Sequence, residues 1–484
     1  MKSLVLSLVL IVAGALAAAA SCPLQAAEST GPARPPGAPS AELQLLKAQL
    51  EALQARLAEL ERAQAAQGAQ VVEASKAATA AVVANDEQQE SIDRTTDTLA
   101  QTRAGLGPWV SAFTWKGDLR YRNETIDQEF TPTNRNRDRI RARLGFIVKV
   151  NDTVRTEIQL STGEGFDPRS SNQTLTNENA RKELDLDTAY AEWSPNEHWK
   201  LTAGKMRYPW VRTSSYFFDN DINPEGVAVN WQQGATGVFA AGFYTHLAER
   251  ATQADSNLLG TQVGWRGTLD DGGRYLLAAG YFDHGAVRGY NPFLDGNAAN
   301  AFGNTTTTSA AVCRRGITTC LLNDYDIVQL LGEVQVNVGG RPLTLFADYA
   351  NNQKADFGIA STNPTANVPA GLGTAYSLGF TYGRASNPKT WEVGYLYQKV
   401  EKDSLFAQWI DSDYGSGVTD TDGSAFRFGY ALGRNWRFNL TYFMDQTNDD
   451  VPVLVTIPNT SPAVTRIVSG RDYNRLQLDL NMTF

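Results

Sequence analysis

The chain has 484 residues, of which 42% are hydrophobic and 20% charged, and its formal net charge is −9. This acidic balance argues against a nucleic-acid-binding protein, so no nucleic-acid partner is expected. Beyond the N-terminus no apolar run reaches the roughly 20 residues that a membrane-spanning helix needs, which excludes a helical membrane protein. A transmembrane β-barrel stays open, because its strands alternate between apolar and polar residues and are polar on average.

Residues 1–27 have the layout of a secretory signal peptide. Lys2 precedes the apolar run 4–20, and small residues follow up to a cleavage site near Ala26 or Ala27. A membrane anchor helix is the alternative, although the run is short and lacks a basic residue after it. Export favours disulfides, so Cys313 and Cys320 are expected to form a local one. A metal-binding pair is the weaker alternative, because no His lies near them.

Residues 40–67 are predicted to form a coiled coil. Six leucines between Leu43 and Leu60 alternate at spacings of three and four residues, which places them on one narrow stripe of a helix. Such a stripe needs a partner helix, although a lone amphipathic helix on a barrel or membrane surface is the alternative. The following stretch, 68–108, is predicted to be a partly helical linker.

From Trp109 onward the apolar residues recur with a period of two, which predicts β-strands. In the segment 139–150, for example, Ile140 and Leu144 alternate with Arg141 and Arg143. Sixteen such segments can be counted. They are 115–123, 139–150, 153–162, 186–193, 199–205, 226–232, 236–248, 258–266, 274–284, 326–338, 343–351, 374–382, 390–400, 423–431, 436–447 and 473–484.

Short turns alternate with long polar loops between these segments, and the longest loop, about 285–325, contains Cys313 and Cys320. An even number of strands with this alternation is typical of an outer-membrane barrel. Seven tryptophans lie at strand ends on the short-turn side, as an interfacial aromatic girdle requires. They are Trp115, Trp193, Trp199, Trp231, Trp265, Trp391 and Trp436. The predicted fold is all-β, a sixteen-stranded antiparallel transmembrane barrel over 109–484, preceded by the coiled coil; a soluble β-protein or a large β-helix is the alternative.

Five motifs carry a resemblance to a known family. They are WKGDLRYR at 115–122, RIRARLG at 139–145, SNQTL at 171–175, GKMRYP at 204–209 and NPEGVA at 223–228. With the signal peptide, the coiled coil and the strands, they make the chain resemble a Gram-negative outer-membrane porin, in particular the Putative porin family with an N-terminal helical segment. The resemblance implies that Phe484 is read by the barrel-assembly machinery.

If apolar residues face lipid, the polar residues between them line the pore. The arginines among them cluster on the first three and last three strands, which become neighbours when the barrel closes, and one wall is therefore expected to be basic. The alternative is a structural set neutralised by Asp118, Glu157 and Asp479. The predicted pore-lining residues are Lys116, Arg120, Arg122, Arg139, Arg141, Arg143, Arg155, Glu157, Arg427, Arg437 and Arg475.

The loop at about 206–225 corresponds in position to the loop that narrows the pore in the porins that the chain resembles. Its acids would face the basic wall and set up a transverse field that favours small hydrated solutes. The alternative is an exposed surface loop, with or without bound Ca²⁺. The predicted constriction residues are Arg207, Arg212, Asp219, Asp221 and Glu225. Acids of the later outer loops are expected to form a solvated rim, namely Asp411, Asp413, Asp420, Asp422, Asp449 and Asp450.

These patterns predict a passive diffusion porin for small hydrophilic solutes, integral to the bacterial outer membrane, with its coiled coil in the periplasm. Its expected partners are outer-membrane lipids, lipopolysaccharide, the barrel-assembly machinery and two further copies in a homotrimer. Alternatives are a substrate-specific channel for phosphate, a carboxylate or another anion, and an envelope tether that acts through the coiled coil. No enzyme, cofactor or metal is expected, since His198, His246 and His284 lie in no recognisable nucleophile motif.

Overall fold

The computed structural model describes residues 112–163, 167–176, 178–270, 272–292 and 298–484. The predicted signal peptide (1–27), coiled coil (40–67) and linker (68–108) lie outside these residues. Within the described ranges, no helix has the length and apolar character needed to span a bilayer.

Sixteen long strands form the main sheet of the described residues, and each overlaps one segment predicted from the alternation. They are β1 (Phe113–Gln128), β2 (Arg135–Lys149), β3 (Val154–Ser161), β4 (Asp185–Trp193), β5 (Trp199–Lys205), β6 (Glu225–Gln232), β7 (Gly237–Ala248), β8 (Ser256–Thr268), β9 (Arg274–Gly285), β10 (Tyr325–Val338), β11 (Arg341–Asn352), β12 (Thr374–Gly383), β13 (Trp391–Val400), β14 (Thr421–Ala431), β15 (Trp436–Thr447) and β16 (Arg471–Thr483).

The sheet closes on itself. Each strand pairs antiparallel with the next, and β16 also pairs antiparallel with β1, with Asp479 opposite Arg122. At the seam the backbone N–H of Phe484 donates to the carbonyl oxygen of Gly117 at 3.0 Å, which continues the ladder by one residue. Closure leaves none of these sixteen described strands with an unpaired edge. The predicted sixteen-stranded antiparallel barrel is therefore confirmed.

Apolar and polar side chains are distributed over the two faces of the wall in the reverse of the way they are in a soluble protein. Most outward side chains are apolar and exposed, as at Leu277 (60%), whereas most inward side chains are polar and buried, as at Gln262 and Gln329 (1% each). All seven tryptophans of the predicted girdle lie on strand positions that face outward at the turn end of the barrel. This distribution is that of a barrel wall surrounded by lipid.

Short strands lie in the long loops at one end of the barrel. Gln173–Thr174 pairs with β2, and Thr306–Thr307 pairs with Cys320–Leu321 in the long loop after β9. A hairpin of Val453–Ile457 and Val464–Val468 projects from the last loop. Cys313 and Cys320 form a disulfide, with Cα atoms 5.5 Å apart.

Two loops turn into the barrel. We call residues 206–224, between β5 and β6, the first inner loop, and residues 401–420, between β13 and β14, the second inner loop. The first crosses the lumen along inward-facing polar side chains: the Val211 N–H donates to Gln262 Oε1 at 2.9 Å, and the Tyr216 N–H donates to Gln398 Oε1 at 2.9 Å. The lumen's glutamines thus satisfy backbone groups of a loop that has no strand partner.

The inner loops bury apolar side chains against each other. Trp210 and Trp409 lie parallel with ring centroids 6.2 Å apart, and the Asp219 N–H donates to the Trp409 carbonyl oxygen at 2.9 Å. Inward aromatic residues of the wall, including Phe243 and Phe282, complete this apolar cluster. The cluster fills one side of the lumen, and the open space lies on the other side, against β1, β2 and β14–β16.

Two sequence-based expectations are corrected. Glu225 is the first residue of β6 and not part of the constriction: its side chain is on the outer face, 61% exposed, and pairs with Lys205 at 2.8 Å. Strand alternation decides this, because Val227 and Val229 on the same face point outward. Asp411 and Asp413 do not lie on a solvated rim either, since the second inner loop carries them into the lumen.

Candidate pore constriction

The open side of the lumen holds a cavity of about 530 Å³ between the inner loops and the arginine-bearing wall. Its ionisable lining is balanced: six arginines and six carboxylates. They are Arg120, Arg122, Arg141, Arg169, Arg427 and Arg437, and Asp219, Asp221, Glu392, Asp411, Asp413 and Asp479. Four of the six carboxylates come from the inner loops, so much of the negative charge lies opposite the positive wall.

All eleven predicted pore-lining residues occupy inward positions of their strands. Arg122 and Arg475 clamp the second inner loop by ion pairs with one carboxylate. Asp413 Oδ2 lies 2.8 Å from Arg122 Nη1, and Asp413 Oδ1 lies 2.8 Å from Arg475 Nη2. Each arginine also pairs with an acid of the wall, Arg122 with Asp479 and Arg475 with Glu124. These guanidinium groups therefore tie loop to wall.

A second cluster holds the first inner loop opposite β2. Arg141 and Arg143 both pair with Asp118 of β1, at 2.8 and 2.6 Å. Asp221 of the first inner loop lies further off, 3.7 Å from Arg141 and 3.9 Å from Arg143. Its other oxygen accepts from the N–H and hydroxyl of Ser171, at 2.9 and 2.8 Å. Asp221 is thus the predicted acid that faces the wall across the lumen.

The other predicted charges pair locally. Glu157 accepts from Lys116 at 2.5 Å and from Arg207 at 2.8 Å. The remaining two pairs are Arg155 with Glu192 and Arg437 with Glu392. Part of the positive charge of the wall is therefore neutralised. Asp118, Glu157 and Asp479 contribute, as the alternative of a structural set of arginines predicted, and so do Glu124, Glu192 and Glu392, which that alternative did not include.

Three of the predicted pore-lining arginines form no ion pair with the described residues. Arg139 is buried and donates to Ser170 Oγ at 3.1 Å and to the Asn172 carbonyl at 3.0 Å. Arg120 donates twice to Asn172 Oδ1, at 2.6 and 3.1 Å. Arg427 lies over the ring of Tyr216, 6.0 Å from its centroid. Of these three, only Arg120 and Arg427 line the cavity.

The loop acids differ in their ease of ionisation. Burial, together with Asp411 and Asp221 nearby, raises the pKa of Asp219 well above its usual value. Burial, and then the charge of Asp413, raises the pKa of Asp411 to about 7. For Asp413 burial acts upward, but Arg475 and Arg122 outweigh it and lower the pKa well below its usual range. One pair of acids therefore holds protons near neutral pH, while Asp413 stays charged.

Arg212 has a structural position in the first inner loop. Its guanidinium lies 3.9 Å from the centroid of the Tyr208 ring and donates to the Phe218 carbonyl at 3.2 Å and to Asn220 Oδ1 at 3.1 Å. These contacts hold the two halves of the loop together, so Arg212 shapes the loop and does not line the described cavity.

The second inner loop is the part of the site that the alternation of strands did not reveal. Its apolar run, Leu405, Phe406, Trp409 and Ile410, is fully buried inside the barrel. A cluster of large apolar residues within a polar outer loop indicates burial, and this signal was present in the sequence. The position of its acids could not be predicted in this way, because the sequence does not distinguish an aspartate on an exposed loop from one on a loop inside the barrel.

A second cavity, of about 420 Å³, continues toward the turn end of the barrel. Arg120, Arg437, Asn439 and Asp479 line both cavities, so the two spaces meet at this part of the wall. The described residues contain no group of three or more His, Cys, Asp or Glu side chains arranged to hold a metal ion.

Comparisons with known proteins give one family match and several similar solved structures. Residues 125–337 match the model of a family described as "Putative porin". The chain is similar to solved OprB of Pseudomonas putida, with 10% identity over 80% of this chain and 97% of that one and a TM-score of 0.48. It is similar to OmpT of Vibrio cholerae, with 15% identity over 77% of this chain and 97% of that one and a TM-score of 0.40. The chain is also similar to OmpF of Salmonella typhi in complex with daunomycin, with 10% identity over 77% of this chain and 97% of that one and a TM-score of 0.43. No curated protein matches. The family match over residues 125–337 confirms the resemblance that the motifs predicted, to the Putative porin family.

Proposed function

We propose that the protein is an outer-membrane porin, a water-filled channel through which small hydrophilic solutes diffuse passively. The observation that carries the proposal is the closed sixteen-stranded barrel whose lumen is filled on one side and open on the other, with charged residues along the open side. Sixteen strands enclose more space than inward side chains can fill. The apolar outer face and its tryptophan girdle support insertion in a lipid bilayer, with long loops outside the cell and short turns in the periplasm.

A weak preference for anions is the proposed selectivity. Acids balance the arginines around the cavity, but the raised pKa of Asp219 and Asp411 removes negative charge near neutral pH. A field between the positive wall and the negative loops would favour small, dipolar, hydrated solutes over bulky apolar ones.

Conductance of the purified protein in a planar bilayer tests the channel. Stepwise current increments that scale with salt concentration are expected, with a reversal potential across a KCl gradient that indicates anion preference. Folded protein that inserts in the bilayer but passes no current would contradict the channel function. A heat-denatured sample serves as the control for bilayer leakage.

A substrate-specific anion channel is the second candidate. It is favoured by Arg120 and Arg427, which line the cavity without forming an ion pair with the described residues. A conductance that saturates with one anion, and stays linear with others, would distinguish this candidate from a general porin.

We also propose assembly as a homotrimer and insertion by the barrel-assembly machinery, with lipids and lipopolysaccharide around the barrel. Phe484 has a 65% exposed side chain at the turn end, where a periplasmic factor could contact it. We expect Phe484→Ala to lower the amount of folded barrel. Deletion of residues 40–100 separates two roles of the predicted coiled coil: loss of the trimer indicates a clamp, and a damaged envelope with intact trimers indicates a tether.

A further inference from the structure

We propose that Arg120 and Arg427 form the anion-contacting site of the channel, and that the site takes a small, singly charged oxyanion such as a monocarboxylate. The inference rests on the proposed channel function and goes beyond it by separating two arginines from the rest of the basic wall. Of the six arginines that line the cavity, these two form no ion pair with the described residues. The other four are each held by a carboxylate: Arg122 by Asp479, Arg141 by Asp118, Arg169 by Asp167 and Arg437 by Glu392.

Arg120 stands where the two cavities meet. It lines both spaces, as do Arg437 and Asp479, but those two charges are already compensated within the wall. The Nε and Nη2 of Arg120 donate to one amide oxygen, Asn172 Oδ1. A neutral amide fixes the direction of the guanidinium without cancelling its charge, so an anion that passes the junction meets an uncompensated cation.

Arg427 lies on the same cavity, on β14. Its Nη2 atom is buried and has no hydrogen-bond partner among the described residues, and the guanidinium lies over the ring of Tyr216. That ring is in turn stacked on Tyr414, with centroids 5.7 Å apart. Contact with an aromatic face restrains a guanidinium and leaves the N–H groups at its edge available for an anion.

The chemistry of the pair favours a carboxylate. A guanidinium offers two parallel N–H donors that match the two oxygens of a carboxylate or of a phosphate. The charge of the ligand decides between them, because six carboxylates line the same cavity. Two of these carboxylates, Asp219 and Asp411, form no ion pair with the described residues, and when ionised they would repel a dianion such as hydrogen phosphate more strongly than a monocarboxylate.

The test compares full-length variants in planar bilayers: Arg120→Gln, Arg427→Gln and the double variant. The matched control is Arg341→Gln, which removes the same charge from the outer face, where Arg341 lies over Trp391 at 4.7 Å. Two quantities are measured: the reversal potential across a KCl gradient, and the conductance as a function of potassium acetate concentration. Potassium phosphate at pH 8, where the dianion dominates, is the comparison.

In the unaltered protein and in Arg341→Gln, the acetate conductance is expected to saturate at a lower concentration than the phosphate conductance. Each Gln substitution in the pair should reduce the chloride-over-potassium permeability ratio by up to about fivefold, the enrichment that one charge gives at about 4 Å in water. The double variant should show no saturation with acetate.

Several results would overturn the site. One is a permeability ratio in the double variant equal to that of Arg341→Gln; another is saturation by phosphate at a lower concentration than by acetate. Should the Gln variants not fold, as shown by heat-dependent gel migration, Arg120→Lys and Arg427→Lys replace them. These must keep the permeability ratio and raise the half-saturating acetate concentration, and an unchanged half-saturation contradicts the proposal. Absence of any current in the unaltered protein would instead contradict the channel itself.

Discussion

Asp413 of the second inner loop bridges two strands of the barrel seam: its Oδ2 lies 2.8 Å from Nη1 of Arg122 on β1, and its other oxygen contacts Arg475 on β16. One carboxylate thus fixes a loop to the place where the first and last strands meet. Because both arginines keep a second acid, Asp479 and Glu124, the wall would survive the loss of this bridge, and the loop would be held less tightly.

Replacement of that carboxylate should therefore loosen the second inner loop. We expect Asp413→Asn to weaken docking of the loop by about 1–3 kcal/mol, the cost of leaving buried polar groups without a partner. Larger and noisier single-channel currents, with faster proteolysis within 401–420, are the measurable results. The control is Asp449→Asn, whose half-exposed pair with Lys399 should contribute about 0–1 kcal/mol. Equal currents in both variants would refute the clamp.

Asp221 should oppose anion flow, because its carboxylate faces Arg141 and Arg143 from across the lumen at 3.7 and 3.9 Å. We expect Asp221→Asn to raise the chloride-over-potassium permeability ratio roughly two- to fivefold. The amide oxygen can still accept from Ser171, so the loop stays in place. Reversal potentials in a KCl gradient measure the change, and a reduced ratio would disprove the transverse arrangement of charges.

Selectivity should depend on pH near neutrality. The pKa of Asp411 is raised to about 7, mainly by burial, so this carboxyl takes up a proton as the pH falls through that value, where an exposed aspartate remains charged. Each proton removes a negative charge from the cavity lining, and the anion preference should therefore increase between pH 8.5 and pH 5.5. Reversal potentials recorded across this range measure the effect.

Asp411→Asn provides the control for the pH effect. This variant lacks the titrating group, so its selectivity at pH 8.5 should approach that of the unaltered protein at pH 5.5, with a smaller change between the two pH values. A pH profile identical to that of the unaltered protein would assign the titration to another group.

The disulfide should stabilise the long loop after β9 and leave the channel unchanged. Cys313 and Cys320 close a short loop, for which chain entropy gives about 2–3 kcal/mol. We expect the Cys313→Ser, Cys320→Ser double variant to be cleaved faster by protease within 286–324, at unaltered conductance. A large change in conductance would mean that this loop also shapes the pore.

Strand count and wall orientation follow from local patterns. Alternation along a segment such as Arg139 to Val148 is decided by neighbours two residues apart, and lipid on one side with water on the other makes that alternation strict. For this reason the sixteen segments and the inward arginines could be predicted. Glu225 was misassigned because it lies at the boundary between loop and strand, where a shift of one residue reverses the face.

The sequence by itself determined the barrel, the side of the wall that residues within the strands face, and the gathering of arginines on strands that become neighbours at closure. Only the tertiary structure decided which arginines keep an uncompensated charge. That depends on where two long loops enter the lumen and which acids they bring to Arg122, Arg475 and Arg141, contacts between residues far apart in the chain. The conformation of these loops is set by packing inside the barrel, as between Trp210 and Trp409. The periodicity of the sequence does not predict such contacts between loops.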